Sequence, residues 1–203
     1  MTIRKGSSYG IRRSGDSDIP EASTDAELAR IISSATDHGV HQPLIRVTGG
    51  DMFRTLGGHP SLGDGTSDDL ALPIDVAYAT LDDGEEHLFV SHLVARRRWW
   101  SGRFVAVMNA EWLGDLDLGV RSHPGDGLLD ITDGRLAVRE RITARRRART
   151  GSHVPHPALR TSRAAFFHTT FDPPLAIHLD GVRHGKVSSL SIRLETDFAL
   201  VVL

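Results

Sequence analysis

The chain has 203 residues, of which 39% are hydrophobic and 25% charged, so it is predicted to fold as a globular protein rather than remain disordered. Its net charge of −2 at pH 7 argues against nucleic acid as a partner, and the absence of cysteine excludes disulfides, thiolate catalysis and cysteine-based metal sites. The sequence contains neither an apolar signal-peptide segment near its start nor a run of about 18 apolar residues, so we expect a soluble, cytoplasmic protein without a transmembrane helix.

The first well-defined predicted element is a helix that follows residues 1–21, a polar segment that is either a flexible arm or a short strand. Ser23 or Thr24 can cap this helix, and Glu27 lies three residues after Thr24, where a capping box needs it. Gly39 is typical of the residue that follows a helix C-terminus. Between these limits, apolar residues recur at helical spacing: Leu28, Ile31, Ile32 and Ala35.

A glycine turn is the most informative local pattern. A strand predicted over residues 43–47 leads into the sequence T-G-G-D-M-F-R, and a short helix is predicted over residues 51–57. Such a turn can offer backbone N–H groups to an anion or a nucleotide phosphate. The candidate binding residues are Thr48, Gly49, Gly50, Asp51 and Arg54. In the alternative interpretation the glycines only form the turn, Asp51 caps the helix and Arg54 pairs with a surface acid.

The rest of the chain is predicted to be rich in strands. Residues 58–71 are interpreted as a loop, and the acidic residues 82–85 as the turn of a hairpin. The predicted strands are 74–79, 87–94, 104–110, 128–131, 164–169, 175–179, 189–194 and 198–203. The sequence therefore predicts one α+β domain over residues 1–203, with a helix, strand, turn and loop in 22–71 and a mainly antiparallel β-sandwich in 72–203.

Two arginine runs form the basic surface. Residues 96–98 precede Trp99 and Trp100, and a second run occupies 145–149 within a helix predicted over 135–149. Arginines beside aromatic rings could bind nucleic acid or an anionic membrane, but a solvated face with buried tryptophans is favoured. The residues of the basic helix expected to point inward are Leu136, Ile142 and Ala144.

Two other clusters are interpreted as structural. His153 and His156 are interrupted by prolines and have no third metal ligand nearby in the sequence, so packing or hydrogen bonding is favoured over metal binding. Asp64, Asp68 and Asp69 lack the bidentate acid of a calcium loop and are predicted to lie in a solvated loop.

Four segments, in order along the chain, resemble signatures of the diacylglycerol kinase-like lipid kinases. Residues 47–57 resemble the G-T-G-N-D-F-A-R signature, and residues 125–130 resemble the D-D-G-L-L-D segment. Residues 151–157 are similar to the G-x-H-x-x-x-P segment, and residues 174–181 to the strand that leads to D-G-E. The resemblance covers most of the chain and implies a fold like the C-terminal β-sandwich lobe of that family.

Members of that family phosphorylate a lipid hydroxyl with ATP and Mg²⁺ at the junction of two lobes, and two of their signatures are altered here. The Gly-Gly-Asp-Gly-Thr phosphate loop has no counterpart before Thr48, where too few residues precede for the usual nucleotide lobe. Residues 63–66 read G-D-G-T but lie in a predicted loop after no strand. Asp180 and Gly181 remain from D-G-E, whereas valine at Val182 can neither accept a proton nor bind a cation.

The resemblance also implies a structural Mg²⁺ at Asp126 and Asp130, since carboxylates suit a hard cation. The alternative is a β-turn at Asp126 with Asp130 at a strand edge, which is favoured because two acids are a sparse ligand set.

These observations favour a non-catalytic relative that binds a nucleotide, a lipid or a partner protein through the remnant of the interlobe cleft, with Mg²⁺ as the one candidate cofactor. The alternative is an ATP-dependent lipid kinase that acts with a separate nucleotide-binding lobe or as an oligomer. Because the face that meets the other lobe in that family would leave apolar surface uncovered, we expect a homodimer or a partner protein there.

Overall fold

The computed structural model describes residues 10–13, 19–58, 69–82, 84–97, 102–152 and 156–203. Within them the chain forms three helices and thirteen strands, which confirms the predicted α+β class. In chain order these are β1 (Ile11–Arg13), β2 (Glu21–Ala22), α1 (Asp25–Asp37), β3 (Leu44–Val47), α2 (Gly50–Thr55), β4 (Asp69–Leu81), β5 (Glu86–Phe89), β6 (His92–Arg96), β7 (Arg103–Met108), β8 (Trp112–Leu113), β9 (Leu116–Asp117), β10 (Leu129–Arg135), α3 (Val138–Ala148), β11 (Leu159–Ala164), β12 (Phe166–Leu179) and β13 (Val182–Val202).

The helix α1 begins and ends where the sequence predicts. The Thr24 hydroxyl accepts the N–H of Glu27 at 3.2 Å, and the Glu27 carboxylate accepts the N–H and the hydroxyl of Ser23, each at 3.0 Å. The strands on either side of the helix, β2 and β3, pair in parallel, so β2, α1 and β3 form a β–α–β unit. β3 in turn pairs in parallel with the end of β13, which anchors the unit to the main sheet.

Eleven strands form one hydrogen-bonded sheet, in which the main path runs β1-β4-β13-β12-β6-β7-β10-β11. Every pairing along that path is antiparallel. β5 adds to β4, while β8 and β9 form a separate two-stranded hairpin. The predicted antiparallel sheet is therefore present, and the parallel β2–β3–β13 edge is an addition that the sequence pattern does not predict.

Two large hydrophobic cores stabilise this sheet, and a third, small cluster is formed by Ala71, Leu200 and Val202. In the first, α1 and α2 cover β3, β4 and the end of β13; its largest fully buried members include Leu28, Ile32, Ile45, Met52 and Ile74. The second core draws its residues from strands and from no helix; it includes Phe89, Leu93, Leu129, Ile177 and Leu190. Because these side chains are fully buried without a covering helix, the sheet must fold over on itself, as in a β-sandwich.

Several predicted strand boundaries are wrong. The segments 164–169 and 175–179 lie mostly in one continuous strand, β12, and the segments 189–194 and 198–203 lie in β13, because bulges absorb the irregular residues between them. Conversely, the strand predicted over 87–94 is split into β5 and β6 at Val90 and Ser91. Here the backbone N–H groups bond to an aspartate side chain instead of a neighbouring strand.

The basic helix also differs from its prediction. Leu136 precedes α3 and is buried, as expected, and Ala144 is half-buried. Ile142 points inward, as predicted, because it lines the cavity beneath α3, but it is 43% exposed. The reason is that the inner face of α3 borders a cavity rather than packing tightly on the sheet, as described below.

Asp75 joins β4 to two distant segments. The side chain is buried, and its carboxylate accepts the N–H of Gly127 at 2.8 Å and the N–H of Asp197 at 2.9 Å. Burial, which disfavours the charged form, raises the pKa of Asp75 from 3.8 to about 6.

This raised pKa predicts a pH dependence of stability. The folded state binds the Asp75 proton more tightly than the unfolded state, so the contribution of this group is full below about pH 4 and is lost as the pH rises through about 6. We expect the free energy of unfolding of the wild type, minus that of Asp75→Asn, to fall by about 1–2 kcal/mol between pH 4.5 and pH 7. Urea titrations across this range measure the difference, and an increase with pH would contradict the assignment.

Candidate functional site

The N-terminus of α2, which the sequence predicts as an anion-binding turn, is capped by a side chain from α1. The Asp25 carboxylate accepts the N–H of Asp51 at 2.8 Å and the N–H of Met52 at 3.0 Å. Asp25 is only 6% exposed. The N–H groups of Asp51 and Met52 are thus satisfied within the chain, by a residue 26 and 27 positions earlier.

Both glycines of the turn are required by this contact between helices. A Cβ at Gly49 would lie 2.5 Å from the carbonyl oxygen of Ser23, and one at Gly50 would lie 2.6 Å from Asp25 Oδ1. Gly50 also has a φ of +93°, which side-chain-bearing residues rarely adopt. Close packing against Ser23 and Asp25 therefore explains why glycine occupies both positions.

The other residues of the predicted turn bind the polypeptide itself. The Asp51 carboxylate accepts the N–H of Gly114 at 2.9 Å, and Arg54 donates to the Gly114 carbonyl at 2.8 Å. The Arg54 guanidinium also lies 3.4 Å from the centroid of the Trp112 ring. Together they fasten the β8–β9 hairpin to α2. Thr48 lies outside this group and donates its hydroxyl to Glu21 at 3.1 Å. Anion or nucleotide binding by this run stays a prediction.

Asp180 and Gly181, the remnant of D-G-E, form the two-residue turn between β12 and β13. Their φ angles of +46° and +84° are those of a type I′ hairpin turn, for which Asp-Gly is a preferred pair. The Asp180 carboxylate is 98% buried and accepts three backbone N–H groups at 2.8–3.0 Å. The donors are Val90, Ser91 and His92.

His92, at the start of β6, lies between these acids. Its Nε2 is 3.8 Å from Asp51 Oδ2, and its Nδ1 is 3.6 Å from Asp180 Oδ1. Burial lowers the pKa of His92, but the carboxylates of Asp180, Asp51 and Asp25 outweigh burial and leave the pKa raised. Ligand atoms of Asp25, Asp51 and His92 lie within 4.8 Å of one another. The structure therefore brings two predicted site residues, Asp51 and Asp180, together with two that the sequence did not single out.

Asp126 and Asp130 belong to a different cluster. Arg163 binds both carboxylates; its Nε lies 2.8 Å from Asp130 Oδ1, and its Nη2 pairs with Asp126. Asp126 also accepts the N–H of Leu128, as in the predicted β-turn. A Mg²⁺ ion at this pair would have to displace the guanidinium, and the magnesium site stays a prediction.

A cavity of about 640 Å³ lies between α3 and the sheet. Its walls are mainly apolar side chains from β6, β7, the β8–β9 hairpin and the segments flanking α3, among them Val94, Phe104, Ala106, Leu113, Leu116 and Leu136. His92 and Gly181 line the same cavity. The cavity therefore lies beside the acid cluster, the group formed by Asp25, Asp51 and Asp180 around His92. The volume is in the range of about 300–1,000 Å³ typical of small-molecule sites.

The charged side chains that line this cavity are mainly arginines. Arg96 on β6 and four arginines of α3 and its C-terminus line it: Arg141, Arg145, Arg146 and Arg149. The described lining residues include no Asp or Glu. Arg96 donates to His178 Nε2 at 3.4 Å, and burial together with Arg96 lowers the pKa of His178, so its imidazole is neutral at pH 7. The cavity therefore combines an apolar interior with arginine side chains.

Three features noted in the sequence lie wholly or partly outside the described residues: the G-D-G-T at 63–66, Trp99 and Trp100, and the pair that includes His153. Asp64 and Asp68 lie there too, whereas Asp69 begins β4. His156 is described, and its Nδ1 accepts the N–H of Ala158, in line with a structural role. Among the described residues no helix is long and apolar enough to cross a membrane.

Comparison with known proteins supports the fold. No family model and no curated protein matches the sequence. Two solved structures described as diacylglycerol kinases from Bacillus anthracis strain Sterne superimpose with TM-scores of 0.61 and 0.57 at 14% and 15% identity. Each match covers 79% of this chain and, respectively, 69% and 66% of the other. The chain thus spans about two thirds of those proteins and has the fold of a diacylglycerol kinase C-terminal lobe.

Proposed function

We propose that this protein is a non-catalytic binding protein for a single-chain anionic amphiphile, such as a fatty acid or a lipid phosphate monoester, which occupies the cavity beneath α3. The observation that carries the proposal is the pairing of an apolar cavity of about 640 Å³ with arginines and no described carboxylate in its lining. Each buried methylene of an acyl chain contributes about 0.8 kcal/mol, and the guanidinium groups suit a carboxylate or phosphate.

The local structure near the family signatures supports a non-catalytic role. The turn between β2 and α1 has the sequence Ala22-Ser23-Thr24-Asp25 and contains no glycine. It precedes the β3–α2 glycine turn in the chain, and the two turns belong to neighbouring parallel strands. The backbone N–H groups of Ser23 and Glu27 at this turn already donate to the side chains of Glu27 and Thr24, so they are not available to bind a phosphate. Val182 follows the Asp180–Gly181 turn and supplies no carboxylate.

Binding is tested by displacement of a fluorescent fatty acid with palmitate or a lysophosphatidate. We expect Arg145→Glu/Arg146→Glu, which reverses two cavity-lining charges, to weaken binding about tenfold, equivalent to about 1.4 kcal/mol. The matched control is Arg139→Glu/Arg147→Glu, which makes the same change of net charge on exposed positions of α3 outside the cavity lining. Equal losses in both variants would show that the cavity is not the binding site.

The lipid kinase alternative has its own assay. With ATP, Mg²⁺ and diacylglycerol we expect no phosphorylation by the protein alone. Sustained turnover that Asp51→Ala abolishes would overturn the non-catalytic assignment. A partner chain carrying a Gly-Gly-Asp-Gly-Thr loop that restores turnover would favour a two-chain kinase. The expected homodimer stays a prediction, and light scattering at micromolar concentration measures it.

A further inference from the structure

We infer that Asp25, Asp51 and His92 form a binding site for a divalent transition-metal ion, with zinc as the first candidate. The inference rests on geometry at the junction of α1, α2 and β6 and does not depend on the amphiphile proposed above. An ion held by ligands at about 2.0–2.2 Å needs ligand atoms about 3.0–4.2 Å apart. His92 Nε2 and Asp51 Oδ2, 3.8 Å apart, meet this requirement. The ligand atoms of all three residues lie within 4.8 Å of one another, so a short inward shift of the side chains around an ion would bring the widest pair into the same range.

The imidazole of His92 gives the observation that separates this site from a simple group of acids. The residue is 95% buried, and its Nδ1 has no hydrogen-bond partner among the described residues. Both ring nitrogens point at carboxylates from distances too long for a good hydrogen bond, 3.6 Å and 3.8 Å. Nε2, which faces Asp51, is the nitrogen placed to coordinate an ion, whereas Nδ1 faces Asp180.

The surrounding contacts match the outer shell of a metal site. Asp180 is fixed by three N–H groups and faces Nδ1, which is the carboxylate–histidine–metal arrangement that sets the tautomer of a ligating histidine. Asp25 is fixed by two N–H groups of α2, and Asp51 by the N–H of Gly114. Backbone groups therefore hold the two ligating carboxylates, and those of a third segment hold Asp180, the carboxylate that faces the histidine ligand.

Charge supports the same conclusion. Asp25, Asp51 and Asp180 converge on one buried histidine, and among the described residues no lysine or arginine forms an ion pair with any of them. A divalent cation would balance the two ligating carboxylates, and the imidazole ligand favours zinc over calcium or magnesium. Because His92 also lines the cavity, the proposed site borders a space through which an ion can approach it.

The test is equilibrium dialysis of the chelator-treated full chain against Zn²⁺, Mn²⁺ and Mg²⁺. We expect one zinc ion per chain, with affinity at least tenfold lower in Asp51→Asn and in His92→Gln. His178→Gln, which alters another histidine of the cavity wall, and Asp126→Asn, which alters the Arg163 cluster, should leave zinc affinity within about twofold. In the Mn²⁺ form, pulsed EPR should show nitrogen coupling that disappears in His92→Gln and persists in His178→Gln.

Three results would overturn the assignment. The first is the absence of stoichiometric Zn²⁺ or Mn²⁺ binding by the wild type. The second is unchanged affinity in Asp51→Asn and His92→Gln. The third is loss of binding in His87→Ala instead, because His87 and His184 form a neighbouring ring pair at 4.8 Å that could hold an adventitious ion. Far-UV circular dichroism of each variant establishes that affinity is measured on folded protein.

Discussion

Replacing Asp180 by alanine should lower the free energy of unfolding by about 3–5 kcal/mol, because it leaves three buried N–H groups without an acceptor. Those donors are the backbone N–H groups of Val90, Ser91 and His92 at the break between β5 and β6. These three N–H groups donate to Asp180 rather than to a neighbouring strand, so without the carboxylate they can be satisfied only if the backbone between β5 and β6 changes conformation. Urea unfolding followed by circular dichroism measures the change.

Asp82 provides a matched control for this prediction. It too has a positive φ, +51°, and its carboxylate accepts two backbone N–H groups, those of Ser188 and Ser189, at 2.8 Å. Because Asp82 is exposed, water can replace its carboxylate, and Asp82→Ala should cost only about 0.5–1 kcal/mol. Equal costs for the two alanine variants would contradict the role assigned to the buried carboxylate.

An asparagine at position 180 separates the hydrogen bonds from the charge. Asp180→Asn retains one acceptor oxygen and a residue that tolerates positive φ, but it directs an amide NH₂ at one of the N–H donors. We expect a cost between those of Asp180→Ala and the wild type, about 1.5–3 kcal/mol. A cost equal to that of the alanine variant would assign the whole effect to charge.

The contrast between Asp180 and Thr24 shows which hydrogen bonds can be predicted from the sequence. The cap of α1 joins residues three positions apart, so its spacing in the sequence predicts it. The Asp180 carboxylate joins residues 88–90 positions apart, and nothing in the alternating pattern of 87–94 marks the strand break that results. The family resemblance draws attention to Asp180 and Gly181, but as a catalytic remnant rather than as the turn that holds Val90 to His92.

Asp25 and the cavity were not predictable for related reasons. Asp25 occupies the first turn of α1, where an acid is favoured at almost any helix N-terminus, so its contact with α2 leaves no trace in the local sequence. The cavity depends on the distance between α3 and the sheet. The apolar pattern of residues 135–149 predicts which face turns inward, but it does not indicate whether that face packs or leaves space. This is why Ile142 lies on the inward face, as predicted, and is still exposed, whereas Leu136 is buried.

Replacing Gly50 by alanine should cost about 3–5 kcal/mol of unfolding free energy. The new Cβ would lie 2.6 Å from Asp25 Oδ1 and 3.0 Å from the Asp25 backbone nitrogen, both in a buried contact between α1 and α2. The φ of +93° adds backbone strain for any residue with a side chain. Gly39 is the matched control, since its φ is +75° and nothing lies within 4 Å of its Cβ position, so Gly39→Ala should cost only about 1–2 kcal/mol.

A double-mutant cycle tests whether the excess cost at Gly50 comes from Asp25. If the carboxylate is the obstacle, Gly50→Ala/Asp25→Ala should be less destabilised than the sum of the two single variants by about 1–2 kcal/mol. Strict additivity would assign the cost to backbone strain and to the contact with the Asp25 backbone nitrogen, and would exclude the carboxylate as the obstacle. If the double variant is less destabilised than the sum of the single variants, Gly50 is needed so that Asp25 can reach the N–H groups of α2. This glycine is then required for the acid cluster to form.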